Sequence, residues 1–478
     1  MLKSAWELAS ERIIASKYAR NLEREEQKRR KAEKERLDAL PDFVAAWELS
    51  QKEEGDTVTI TEGVEDVEKN PTQFIPKESF ETESSGAGRI IVQEPETLTF
   101  NDPMEIHWYG HFTSYSGFSR MNRALVFGLA NRNVKIKIDM QRCSMDINQA
   151  TLGELQRLET NEISPFAPKI YGATIPLQMN HGGKKIIYTM MENDQTLHKD
   201  YAERLNLFNE VWVPTRHGEQ MFKSNGVRCN VIVMPLGVEI SRYNSKAKPF
   251  NFGNVGSFRF ISVFKWGLRK GYDILLKAYM EEFSSEEDVS LILVSRCDTD
   301  NNPNRIAEDF KAIRMGIDKP DSDLPHVSLY DKLIPEKDMP SIYRAGHAFV
   351  LISRGEGFGL PYYEASACGL PVIGSNCSGQ SDLLKEHNSY LVEPDAYVKA
   401  SVNGNLSRLA KHCHFYEDQI FPDFGPNAIA KTREHMRNVY ENYNDALKKA
   451  ALLQKYVREN CSWEHAVERV HQRLKEIV

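Results

Sequence analysis

The sequence predicts an α/β architecture of two Rossmann-like, doubly wound parallel sheets in tandem, facing a central cleft, behind a charged N-terminal extension that is part helical and part irregular. Three observations predict it. From residue 105 onward, short apolar runs alternate with stretches of helical periodicity, the pattern of strands buried on both faces and joined by helices. These runs fall into two series, separated by a polar, turn-rich stretch at 242–256. A glycine-spaced turn, GEGFG at 355–359, stands between strand and helix late in the second series. Open α/β sheets bind ligands beyond the carboxyl ends of such strands.

Taken in order, residues 1–40 read as helix, with Trp6, Ile13, Ile14, Tyr18 and Leu22 near helical spacing. The block 23–38 then holds 13 charges in 16 residues, seven basic and six acidic. Pairs at i and i+4 support a solvated helix with little core, suited to a coiled-coil or protein-docking arm. Residues 41–100 carry Pro41, Pro71, Pro76, Pro95 and the run ESSGAG, a linker composition, which closes a first region at 1–100. Candidate strands at 106–108, 134–138, 186–188, 211–213 and 231–233 make a first sheet domain over 101–250. Those at 258–263, 291–294, 327–329, 349–352 and 372–373 make a second over 251–425. The tail 426–478 is helical, with Ser462 as N-cap of the last helix.

Composition narrows the function. The 478 residues carry a net charge of −7, but 41–100 alone has 14 acidic and 4 basic residues. Without that linker the balance is 57 basic to 54 acidic, so the body is nearly neutral and is no polycation for nucleic acid. No apolar run approaches the ~18 residues of a membrane span, and the first twenty residues lack the apolar core of a secretory signal. The seven cysteines are far apart and form no CxxC pair, so neither a zinc knuckle nor a disulfide framework is indicated. A reducing cytoplasm is the expected compartment.

The segment GEGFGLPYYEASACGLPVIGSNCSGQSDLL carries the chemistry. A strand ends at Ile352, a turn follows, Pro361 fits the first helical position, and Gly369 and Pro371 end the helix. Gly355, Gly357 and Gly359 let backbone N–H groups approach a ligand, at a helix N-terminus that favours a phosphate. Glu356 in the loop and Glu364 in the first helical turn stand with seven residues between them. A carboxylate accepts two hydrogen bonds from vicinal hydroxyls, so the pair is placed to grip a sugar and a ribose. Either residue alone reads as well as a turn cap or a dipole complement; the glycines and the strand–turn–helix context favour the ligand.

This segment resembles the donor-binding signature of retaining glycosyltransferases of family 4, which have the GT-B fold; Glu356 and Glu364 stand as its E-x7-E pair. The resemblance runs over roughly 104–478. FISVFKWGLRKGYDILLKAY is similar to the opening of the family's second domain, which implies that Lys265 and Lys270 straddle a diphosphate. HVSLYDKLIPEKDMPSIYRAGHAFVLIS resembles the stretch leading into the glutamate motif, and implies that the loop 331–334, with Leu333, borders the base. GHFTSYSGFSRMNRAL resembles the first loop and helix, which implies that the Gly117 backbone faces the donor phosphates. Donor contacts are likewise implied for Gly357, Phe358, Gly359 and Leu360, and catalytic roles for Glu356, Lys265 and Lys270. Met191-Glu192-Asn193-Asp194 stands where one branch of the family reads WE-T-D, and Pro235-Leu236-Gly237-Val238-Glu239 is similar to its PxGVD element. SWEHAVERVHQRLKEI resembles a terminal helix that crosses back to the first domain.

The resemblance implies sugar transfer, with retention, from a nucleotide-diphosphate sugar to an acceptor hydroxyl, with neither cofactor nor metal. Asp298-Thr299-Asp300 lies in an Asp/Asn-rich turn and reads as loop. His111, Glu192 and Asp194 are the candidate acceptor ligands, each also readable as a satisfied loop polar group. The acceptor itself (glycan, lipid, protein, small molecule or modified DNA) is open. An idle GT-B scaffold subunit and a sugar-nucleotide epimerase are the alternatives.

Overall fold

The computed structural model describes residues 103–141, 147–174, 182–297, 304–412 and 416–478. The leader and linker at 1–100 and the triplet at 298–300 lie outside the described residues. The first sheet comprises β1 (Glu105–His111), β2 (Lys135–Gln141), β3 (Lys169–Gly172), β4 (Lys185–Tyr188), β5 (Glu210–Val213) and β6 (Asn230–Val233). Its order is β2-β1-β3-β4-β5-β6, parallel throughout. The connecting helices are α1 (Gly117–Ala130), α2 (Gln149–Glu159), α3 (Lys199–Leu205) and α4 (Arg216–Ser224).

The second sheet comprises β7 (Phe258–Lys265), β8 (Val289–Arg296), β9 (His326–Tyr330), β10 (Ala348–Leu351), β11 (Val372–Ser375) and β12 (Tyr390–Val392). Its order is β12-β11-β10-β7-β8-β9, again parallel. The helices here are α5 (Tyr272–Glu282), α6 (Arg305–Met315), α7 (Met339–Ala345) and α8 (Leu360–Ala367). Strand order reverses between β1 and β3 and between β7 and β10, so each sheet has a switch point where loops diverge and leave room for a ligand. β8 shows why the sheet is parallel: every residue but Arg296 is buried, as helices on both faces require.

Every strand read from the sequence is present, and the structure adds others. β3 sits centrally between β1 and β4, yet KIYG offers only four residues, with a lysine and a glycine among them. Lys169 is buried and donates to the carbonyls of Pro165 and Gly182 at 2.8 and 2.7 Å. An antiparallel hairpin, β13 (Ala396–Lys399) with β14 (Ile420–Asp423), encloses the short helix α9 (Ser407–His412).

The chain closes with α10 (Pro426–Glu441), α11 (Tyr443–Asn460) and α12 (Trp463–Ile477). Ser462 caps α12, accepting from the His465 N–H at 3.2 Å. The last helix returns to the first sheet. Val238 N–H donates to the Cys461 carbonyl at 2.9 Å, and a side chain at Gly128 of α1 would collide with Val467.

One buried amide sets the register of α1. Asn122 Oδ1 accepts from Trp108 Nε1 at 3.0 Å, while its Nδ2 donates to the carbonyls of Gly172 at 2.7 Å and His111 at 2.9 Å. Each group left unpaired there would cost about 1–3 kcal/mol. The helix is thus pinned over the carboxyl ends of β1 and β3, and Arg120 and Arg123, one turn apart, face the second sheet.

Candidate active site

The turn between β10 and α8 is the centre of the site. Gly359 adopts the left-handed conformation at φ 87°, and the helix starts at Leu360 with Pro361 as its second residue. Glu364 therefore falls in the second turn of α8, where the sequence reading put it in the first. It is 2% exposed and complements no dipole from there; other groups hold it.

Lys270 closes a short 3-10 turn, Leu268–Lys270, after β7. Its ammonium lies 2.6 and 2.7 Å from the two carboxylate oxygens of Glu356. Arg269, absent from the sequence reading, joins the cluster: its guanidinium sits 3.5 Å from Glu356 and 2.9 Å from Glu192 of the first domain. The Tyr416 hydroxyl donates to the other Glu192 oxygen. Burial pushes the Glu356 carboxyl up, but the charges of Lys270 and Arg269 outweigh it and hold it below the ordinary glutamate value. Arg354 fixes this geometry from beneath. It is 3% exposed, donates to the Leu268 carbonyl at 2.8 Å, and forks onto Asp273 with two bonds of 2.8 Å.

A second cluster surrounds Glu364. The Tyr343 hydroxyl donates to Oε2 at 2.6 Å, and the Arg120 guanidinium reaches Oε1 at 2.5 Å. Arg120 and Arg123 each also lie 3.1 Å from Glu336. An arginine pair at i and i+3 in the first domain thus clasps two carboxylates of the second. Its signal in the sequence, S-R-M-N-R, has the spacing but no indication of its partners.

The remaining candidates are placed as follows. Lys265 ends β7 exposed, without an ion-pair partner among the described residues. Phe358 is a core residue, its ring stacked on Tyr363 at 4.0 Å, so its side chain is not presented to a ligand. Gly355 and Gly357 press against the first domain, since a side chain on them would strike the Glu192 carbonyl and Met190 respectively. Their small size serves this close approach, where the sequence reading had them approach a ligand. Leu360 is buried, Gly117 opens α1 with free space before it, and Leu333 is 50% exposed beyond β9. On the first domain, Asp194 Oδ1 accepts the Ser378 N–H at 2.6 Å and Glu192 is paired as above, so both tie the domains together. His111 Nδ1 is buried with no hydrogen-bond partner among the described residues.

Comparison with known proteins agrees with this architecture. Residues 257–409 match the family described as "Glycosyl transferases group 1". The chain is 29% identical over 185 residues to spore coat protein SA of Bacillus subtilis, 36% of this chain and 45% of that protein. It is 35% identical over 133 residues to probable sucrose-phosphate synthase 5 of Oryza sativa subsp. japonica, 26% of this chain and 13% of that one. The chain thus spans less than half the length of these curated relatives. Among solved structures, sucrose-phosphate synthase from Thermosynechococcus elongatus superposes with a TM-score of 0.56 at 14% identity, covering 78% of this chain and 98% of that one. Anabaena HepE in complex with UDP-glucose gives 0.52 at 12% identity, over 78% and 100%. The fold is GT-B, two Rossmann-like domains across a cleft. Among the described residues, no helix is long and apolar enough to cross a membrane.

Proposed function

We propose that this chain is a retaining glycosyltransferase of family 4, moving a sugar from a nucleotide-diphosphate sugar to an acceptor hydroxyl without a metal ion. The observation that carries the reading is the contact of 2.6 Å between Lys270 and Glu356 at the carboxyl ends of β7 and β10, inside the segment 257–409. Lys265 and Lys270 meet the charge of the departing diphosphate, with the backbone amides of Gly357, Phe358, Gly359 and Leu360 beside them. Glu364, whose two oxygens Tyr343 and Arg120 hold in this structure, receives the ribose hydroxyls as those contacts open; Leu333 borders the base, and Gly117 closes on the phosphates from the first domain. The C1–O bond of the donor breaks with its electron pair passing to the nucleoside diphosphate. The acceptor oxygen bonds to C1 on the same face, and its proton passes to the leaving phosphate oxygen. Glu356 keeps Lys270 oriented and charged and lies beside the sugar. Charge placed in this way in a closed site is worth several kcal/mol, by comparison with ~2.7–4 kcal/mol for one oxyanion-hole donor. His111 is the acceptor-side candidate, its buried Nδ1 lacking a hydrogen-bond partner among the described residues; Glu192 and Asp194 shape that side while joining the domains.

Thermal shift against UDP-, GDP-, ADP- and dTDP-sugars tests the reading, beginning with UDP-glucose because a protein of this fold was solved with it. At 100 times its Kd the true donor adds ~2.7 kcal/mol. Glu364→Ala is expected to weaken that shift, and Glu356→Ala to lower turnover more than binding. Absence of a shift with every nucleotide in the wild type moves the weight to an idle scaffold.

A further inference from the structure

We propose that the first domain holds the donor site shut with its own charges: Arg120 and Glu192 stand in for the two halves of a nucleotide, which binds only by displacing them. The inference rests on the glycosyl-transfer reading, in which Glu364 accepts from ribose hydroxyls and the cations after β7 meet a diphosphate. In the structure these groups already face opposite charges from the first domain. The Arg120 guanidinium lies 2.5 Å from Glu364 Oε1 and the Tyr343 hydroxyl 2.6 Å from Oε2, so both oxygens of this buried carboxylate are engaged. Glu192 lies 2.9 Å from Arg269, whose guanidinium also reaches Glu356 at 3.5 Å. Arg269 and Lys270 against Glu192 and Glu356 make two cations and two carboxylates, a balanced set with no net charge for a diphosphate. Withdrawal of Glu192 leaves one positive charge uncancelled there.

Each stand-in has a second partner already in contact, so each has two positions available to it. Arg120 Nε lies 3.1 Å from Glu336 Oε1, and Glu336 is half-exposed, which leaves Arg120 an anion when a ribose takes Glu364. The Tyr416 hydroxyl donates to Glu192, and so holds that carboxylate when a diphosphate takes Arg269. Displacement therefore strands neither charge. The shut state is also packed at the backbone: a side chain on Gly355, beside Glu356, would strike the Glu192 carbonyl. A ligand that binds only the opened site has its apparent Kd raised by the fraction of molecules that are shut. Removing a stand-in raises the open fraction and tightens nucleotide binding, whereas removing a true donor ligand weakens it. The sign of the change separates the two roles.

Calorimetric titration of the full chain with UDP, GDP, ADP and dTDP tests it, using wild type, Arg120→Met, Glu192→Gln and the control Arg473→Met. The control breaks the ion pair with Glu210 at the amino end of β5, the opposite end of the strand from the cleft. The nucleotide that binds is expected to bind roughly tenfold tighter to Arg120→Met and to Glu192→Gln, within the usual range of couplings between sites. Arg473→Met is expected to match wild type, which separates release of the site from general loosening. Either folded variant binding no tighter than wild type overturns the inference and leaves the glycosyl-transfer reading standing. Glu192→Gln decides alone if Arg120→Met does not fold, because Arg269 keeps Glu356 beside it. No nucleotide bound by any of the four proteins removes the glycosyl-transfer reading, and the inference with it.

Discussion

Replacing Arg120 by methionine removes the cation that the buried Glu364 carboxylate faces across the domain boundary. Glu364 is 2% exposed and Arg120 16%, so little solvent screening softens the loss. Removing one partner of a buried pair costs about 3–5 kcal/mol, because the other charge is stranded. The second contact of Arg120, with Glu336, adds little: Glu336 is 36% exposed and keeps Arg123 at 3.1 Å. Glu364→Gln strands Arg120 in turn, though Glu336 remains beside it and the amide oxygen still accepts from Tyr343. The double variant Arg120→Met/Glu364→Gln buries neither charge, so it is expected to recover about 2–3 kcal/mol relative to the sum of the single changes. Equilibrium urea unfolding of the four proteins, followed by far-ultraviolet circular dichroism, measures that coupling. Additivity within about 0.5 kcal/mol would refute the argument that this pair is a buried, mutually dependent contact between the domains.

Two further outcomes are expected. The Glu356 carboxyl is held below its ordinary value of 4.5 in the folded protein, so the unfolded chain takes up its proton first as pH falls. The stability it contributes is therefore present above pH 4.5 and lost below it, through the lower folded value. Glu356→Gln lacks that loss, and its unfolding free energy should change less steeply between about pH 3 and 5; parallel curves for the two proteins contradict the assignment. A chelator is expected to leave the transfer rate unchanged, whereas a strict Mn²⁺ requirement would count against leaving-group stabilisation by Lys265 and Lys270.

Much of the fold was legible because its strands are apolar runs with few competing readings, as at β7, β8 and β10. β3 was not, since four residues with a lysine and a glycine carry no pattern; its neighbours β1 and β4 create the strand by pairing with it. The β13–α9–β14 segment carries no clear period in sequence; it is held by a small apolar cluster of Ala400, Leu409, Ala410, Tyr416 and Phe421 and by the Arg408–Asp309 contact, which links residues 99 apart in sequence. At the candidate site, the glycine spacing and the strand–turn–helix context pointed to Glu356 and Glu364, and the family resemblance to Lys270; the structure brings Lys270 against Glu356. Arg269 was hidden beside Lys270, its partner Glu192 being in the other domain. Arg120 was hidden for the same reason, as a contact between domains leaves no periodicity in either. The helix starts one residue earlier than Pro361 suggests, at Leu360 after the left-handed Gly359, and that single residue carries Glu364 from the first turn into the second.

The most direct measurement is the configuration of the sugar released when water replaces the acceptor. Incubation with the nucleotide sugar that gives the thermal shift, followed by proton NMR of the anomeric signal before mutarotation, reads both the reaction and its stereochemistry. Release of the donor's own anomer, lost in Lys270→Ala, is the predicted result. Release of the opposite anomer, or equal release by Lys270→Ala and wild type, would contradict retaining transfer at the Lys270–Glu356 site.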